Sequence, residues 1–154
     1  MSDINTYAND RLLEFIDAMH NEIKPLLEER FGDQWLALGV ERHLPNDSLD
    51  RVRRMLSEPM NVIDMGKSDD ELYGVEHLER IVVQNWKAIF QSRFNDRHKT
   101  SIYLREITEL RHNVSHRRPH HMLRRRDLMR FLHNAQLLLQ ALQSPLAGEF
   151  EGLA

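Results

Sequence analysis

A chain of 154 residues is the size of one domain, long enough to bury a core without disulfides or a structural metal. It has no cysteine, which excludes thiol chemistry, disulfide staples and cysteine-bound zinc, and fits a reducing cytoplasm. The net charge is −3, and no apolar run resembles a signal peptide or approaches a membrane span, so a soluble cytoplasmic protein or domain is expected.

Glycine and proline are sparse, and apolar residues recur every three or four positions, the spacing of helices. The first segment, Ile4 to Phe31, carries Leu12, Ile16, Met19, Ile23, Leu26, Leu27 and Phe31 on one face, with Asp3 or Asn5 as cap. Pro25 lies inside this pattern and is expected to kink or break the helix near residue 24. "FGDQWLALG" reads as a stop, with Gly32 in a C-cap turn and Trp35 packing back on the core.

Periodicity fades over residues 40–70, where Pro45, Pro59 and Gly66 leave room for one short helix near Ser48–Leu56. An irregular connection of this length in a small domain is often functional. Leu72 to Phe94 reads as one helix, with Leu72, Val75, Leu78, Val82, Trp86, Ile89 and Phe90 in its stripe. "NDRHKT" reads as a turn. The next helix buries Ile107, Leu110 and Val114, and Pro119 requires it to end near Arg118. A last helix starts near Arg124–Asp127 and carries Leu128, Phe131, Leu132, Ala135, Leu138, Leu139 and Leu142. The fold class expected is all-α: a single domain over residues 1–145, built as a bundle of about four main helices with the irregular excursion between the first two. Residues 146–154 read as a tail.

Charge is unevenly spread. Between Ser101 and Arg130 eight arginines stand against Glu106, Glu109 and Asp127, a local charge of +5 that leaves −8 for the rest of the chain. None of the eight cations is lysine, and arginine's planar fork suits phosphate. The densest stretch is "ELRHNVSHRRPHH", Glu109 to His121, with four of the nine histidines.

Three readings of that stretch compete. His112, His116 and His120 are spaced by four, as zinc ligands on a helix can be, but Pro119 interrupts the helix and the neighbouring arginines repel a divalent cation. Cations at a helix C-terminus interact well with its dipole, at about 0.3–1 kcal/mol each, which accounts for one or two of them. The third reading is phosphate chemistry. Cleaving RNA without metal needs a proton acceptor for the 2′-hydroxyl, a cation on the phosphorane and an acid for the leaving oxygen. Arg111 and His116 supply suitable groups, but on one helix they lie about 140° and about 7.5 Å apart. Two copies around a two-fold axis would bring two such pairs to one cleft.

"RHNVSH" resembles the Arg-x(4–6)-His signature of HEPN domains, all-α modules that include metal-independent endoribonucleases. "YLREITELRHNVSH" is similar to that family's "ELRxxRNxWAH" helix, "GVEHLERIVVQNWKAIF" to the preceding helix, and "RLLEFIDAMHNEIKPLLEERFGDQW" to the N-terminal one. The resemblance is to the subgroup named after a nuclear mRNA-surveillance endonuclease and found in bacterial anti-phage proteins. It covers most of the chain outside residues 40–70.

The resemblance implies a homodimeric endoribonuclease in a defence or toxin setting, with no cofactor or metal and with RNA as substrate. Arg111 and His116 would be the catalytic pair, with His112 and Asn113 in support. His112 stands where the family pattern has Asn, and Ser115 where it has Ala. Arg117, Arg118, Arg124, Arg125 and Arg126 would hold backbone phosphates. An antitoxin or another defence protein is the further partner implied. The alternative is a non-catalytic HEPN domain used for dimerisation or nucleic-acid sensing within a larger protein.

Overall fold

The apolar repeat at the N-terminus becomes one 29-residue helix, α1 (Asp3–Phe31). The structure, a computed structural model, describes residues 3–44, 75–116 and 123–151. Within α1, Ala8, Leu12, Phe15, Ile16, Met19, Ile23 and Leu27 are all buried. Of the kink or break expected at Pro25, the break does not occur: the helix continues through it. The Pro25 ring removes the N–H that would reach the Asn21 carbonyl, but both residues are on the exposed side, where water can serve that carbonyl.

Gly32 takes the left-handed conformation (φ 63°), as a C-cap glycine should. The chain then winds on through a 3-10 turn (Gly32–Gln34), a short helix α2 (Trp35–Gly39) and a second 3-10 turn (Glu41–His43). Trp35 is half-buried, with the Lys24 ammonium 5.3 Å from its ring centre. Gly39 lets α2 sit directly on α1: a Cβ there would lie 2.8 Å from Leu27 Cδ2. The short helix expected near Ser48–Leu56 lies outside the described residues.

The next helical segment departs from expectation. In place of one unbroken helix there are α3 (Val75–Gln84), a π turn (Trp86–Phe90) and α4 (Gln91–Phe94). The Asn85 carbonyl accepts N–H bonds from both Ile89 (2.9 Å) and Phe90 (3.4 Å). The sequence gives the reason: Leu78, Val82, Trp86, Phe90 and Phe94 recur every four residues, so their stripe drifts about 40° per step around an ordinary α-helix. A wider π turn takes up part of that drift. Trp86 and Phe90 both stay buried, and Trp86 stacks on Phe94 at 6.2 Å. The buried Asn85 side chain donates to the carbonyls of Gly39 (3.0 Å) and Ile81 (2.8 Å), tying this segment to α2.

The expected turn over residues 95–100 shrinks to Asn95, with φ 67°, and Asp96. Asp96 Oδ1 accepts the Lys99 N–H at 2.9 Å and caps α5 (Arg97–His116), so the RHKT residues are helical. Helix α6 (Arg125–Ala141) starts where the sequence predicts, with the Asp127 carboxylate accepting the Arg124 N–H at 3.2 Å. Its buried face is the expected one. Within the segment read as a tail, residues 147–150 are packed instead. A 3-10 turn (Ala147–Phe150) folds back on α6, and Phe150 is fully buried.

All regular elements among the described residues are helical, so the chain is all-α there. Helix α5 packs on α3 and α6, and α1 lies against both α5 and α6. No helix among the described residues is long and apolar enough to cross a membrane.

One packing detail makes stability pH-dependent. Partial burial lowers the pKa of His43 below its usual value, and the guanidinium groups of Arg42 and Arg80 add to the effect. Arg80 Nη1 also donates to the His43 carbonyl at 3.2 Å. The unfolded chain takes up a proton here as pH falls below about 6.5, while the fold resists it, so stability drops with acidification. His43→Gln is expected to flatten the loss of urea midpoint between about pH 6.5 and 5. A slope equal to wild type would remove His43 from the acid response.

Candidate active site at the α5–α6 end

Helix α5 has one buried stripe, Thr100, Leu104, Ile107 and Leu110, and one exposed stripe, Ile102, Arg105, Glu109 and His112. Arg111 is half-buried at the edge of the buried stripe, whereas His112, one residue later, is exposed. Asn113 and His116 belong to the same helix, and His116 follows His112 by about one turn. Of the predicted phosphate-binding residues, Arg124, Arg125 and Arg126 are exposed at the start of α6. Arg117 and Arg118 lie outside the described residues, as do His120 and His121.

Cross-helix contacts set how these groups meet. Glu106 on α5 accepts a 2.8 Å hydrogen bond from the buried Asn134 side chain on α6 and lies 3.8 Å from Arg130 Nε. Residue 106 is therefore level with residues 130–134, and with only eight residues between His116 and Arg125 the two packed helices are neighbours of the antiparallel, hairpin kind. The C-terminal end of α5, with Arg111, His112, Asn113 and His116, consequently sits at the same end of the bundle as Arg124–Arg126. On the other flank of α5, Glu79 Oε1 accepts bonds from Ser101 (3.0 Å) and Arg105 Nε (3.2 Å), fixing α5 against α3.

The described side chains of the motif and phosphate-binding residues at this end, Arg111, His112 and Arg124–Arg126, are four arginines and one histidine. Among the described residues no group of three or more His, Asp or Glu side chains is arranged to hold a metal. A groove of about 670 Å³ lies elsewhere, lined by Arg11, Glu14, Asp17, Asn21, Leu146 and Glu149. Three carboxylates against one guanidinium make it a poor place for a polyanion.

Two residues that the motif reading did not single out extend the cationic end. Arg130 and His133 are exposed on α6, four and seven positions after Arg126. That spacing is the signal, but it becomes legible only once the exposed face of α6 is known.

No family model, no curated protein and no solved structure matches the chain. Among the described residues the chain is an all-α bundle that carries Arg111, His112 and Arg124–Arg126 on the packed helices α5 and α6.

Proposed function

We propose that this protein is a metal-independent endoribonuclease of the HEPN type, working as a homodimer. The observation that carries the reading is that α5 and α6 pack together with Glu106 level with Asn134, which puts the Arg111–His116 segment and Arg124–Arg126 toward one end of the pair. RNA would lie with its backbone on the arginines. His116 would act as general base or acid at the 2′-hydroxyl and leaving 5′-oxygen, and Arg111 would neutralise the phosphorane. The half-buried setting of Arg111 supports a clamp role, since a partly desolvated guanidinium acts more strongly on a phosphate. His112, exposed and about one turn before His116, suits the second proton-transfer role, with Asn113 in support. The two-fold partner supplies the second set of groups that one helix cannot bring to a single point.

Cleavage of a mixed RNA pool in EDTA tests this, with molecular mass measured in the same buffer. The expected result is cleavage by a dimer, leaving 2′,3′-cyclic phosphate and 5′-hydroxyl ends. Activity that requires added metal, or no cleavage by a folded dimer, would overturn it. The second outcome would favour a non-catalytic HEPN domain for dimerisation or nucleic-acid sensing, a reading that His112 in place of the family's Asn supports. A defence or toxin setting, with an antitoxin or defence-system partner, belongs to the same proposal.

A further inference from the structure

We infer that the exposed ridge of α6, Arg126–Arg130–His133, is a binding track for the sugar–phosphate backbone of single-stranded RNA, leading away from the Arg111–His116 end. This rests on the reading that RNA is the ligand, and extends it to residues outside the motif.

The ridge is continuous. Residues 126, 130 and 133 fall within a sector of about 60° on the helix and span about 10.5 Å along it, enough for two or three successive phosphates of one strand. All three are exposed, as are Arg124 and Arg125 at its head. The acid within the run, Asp127, lies about 100° around the helix from Arg126, off the ridge, with its carboxylate turned to cap the Arg124 N–H.

Arg130 also has a carboxylate nearby. Glu106 meets it through Nε at 3.8 Å, and Glu106 is itself fixed by the buried Asn134 at 2.8 Å. The Arg130 side chain nevertheless remains 72% exposed. A guanidinium has five N–H donors, so one distant contact at Nε leaves donors for a phosphate. His133 ends the ridge with a ring N–H donor.

Arg105 provides an internal control. It has the same charge, a comparable exposure of 69% and a carboxylate at its Nε, closer at 3.2 Å, but it sits on the opposite flank of α5, beside α3. General attraction to the locally basic stretch of residues 101–130 would weigh the two arginines alike. A track on α6 would not.

The test is binding of a 2′-O-methylated oligouridine of roughly twelve nucleotides, which lacks the 2′-hydroxyl and cannot be cleaved, between about 50 and 200 mM salt. Wild type is expected to weaken steeply with salt. Arg130→Gln and Arg126→Gln should each make the slope of log affinity against log salt shallower by about 0.7, the value for one lost phosphate on a single strand. Arg130→Lys keeps the charge and should restore the slope, which a purely structural role for Arg130 would not do. Arg105→Gln should leave it unchanged. No binding by wild type at the lowest salt, a wild-type slope in Arg130→Gln, or an equal loss in Arg105→Gln would each overturn the track. Cleavage of unmodified RNA is scored separately. A protein that cleaves but shows no Arg130 effect loses the track and keeps the nuclease reading, whereas the expected binding pattern without cleavage does the reverse.

Discussion

His116→Ala is expected to lower EDTA-resistant RNA cleavage by about 10²–10⁴-fold while leaving a folded dimer. On the proposed reading His116 carries the proton transfer, so its loss should appear in the chemical step. Arg111→Ala should cost about 10²–10³-fold through the uncompensated phosphorane charge. Arg111→Lys should recover only part of this, because an ammonium cannot reproduce the planar fork. His112→Ala separates support from chemistry: a loss as large as that of His116→Ala would make it the second proton-transfer group, and no loss would remove it from the mechanism. Single-turnover cleavage with mass and helical content checked in parallel decides these outcomes. Full activity of His116→Ala would sink the assignment.

Phe150→Ala should be the most destabilising truncation outside the long helices, at about 3–5 kcal/mol. Phe150 is fully buried and stands edge-on to Phe15 of α1 (6.3 Å) and Phe131 of α6 (6.3 Å), which are edge-on to each other at 6.1 Å. Such perpendicular pairs contribute about 0.5–1.5 kcal/mol each beyond buried area. The Arg11 guanidinium also lies 6.0 Å from the Phe150 ring centre. A fall in melting temperature of roughly 10 °C is expected. A change below about 2 °C would mean that the last turn does not hold the bundle together.

Helices α1 and α6 were legible because their apolar residues follow the 3.6-residue period that burial on one face requires. Leu12, Ile16, Met19 and Ile23, and then Leu128, Phe131, Ala135 and Leu138, are buried where the pattern put them. Phe150 was not legible. Its partners are far away in the chain, and the twelve residues "QSPLAGEFEGLA" have no period of their own. The persistence of α1 through Pro25 was hidden for another reason: the cost of proline depends on whether the orphaned carbonyl meets water or protein. At the candidate site, residue types and spacing marked Arg111 and His116, but only the cross-helix pair Glu106–Asn134 shows that Arg124–Arg126 share their end of the hairpin. Arg130 and His133 needed that same knowledge of which face of α6 meets solvent.

The π turn at Trp86–Phe90 has a consequence for how chains of this fold can differ in length. It is equivalent to a single extra residue inside an otherwise ordinary helix, accommodated without a loop. Lys87 and Ala88 in it are exposed, so the surplus faces solvent while Trp86 and Phe90 keep their places in the core. A chain one residue shorter here would run as plain α-helix and still reach Asn95 at nearly the same point. Between two such chains, the gap belongs in the middle of a helix, where alignment by length alone would not put it.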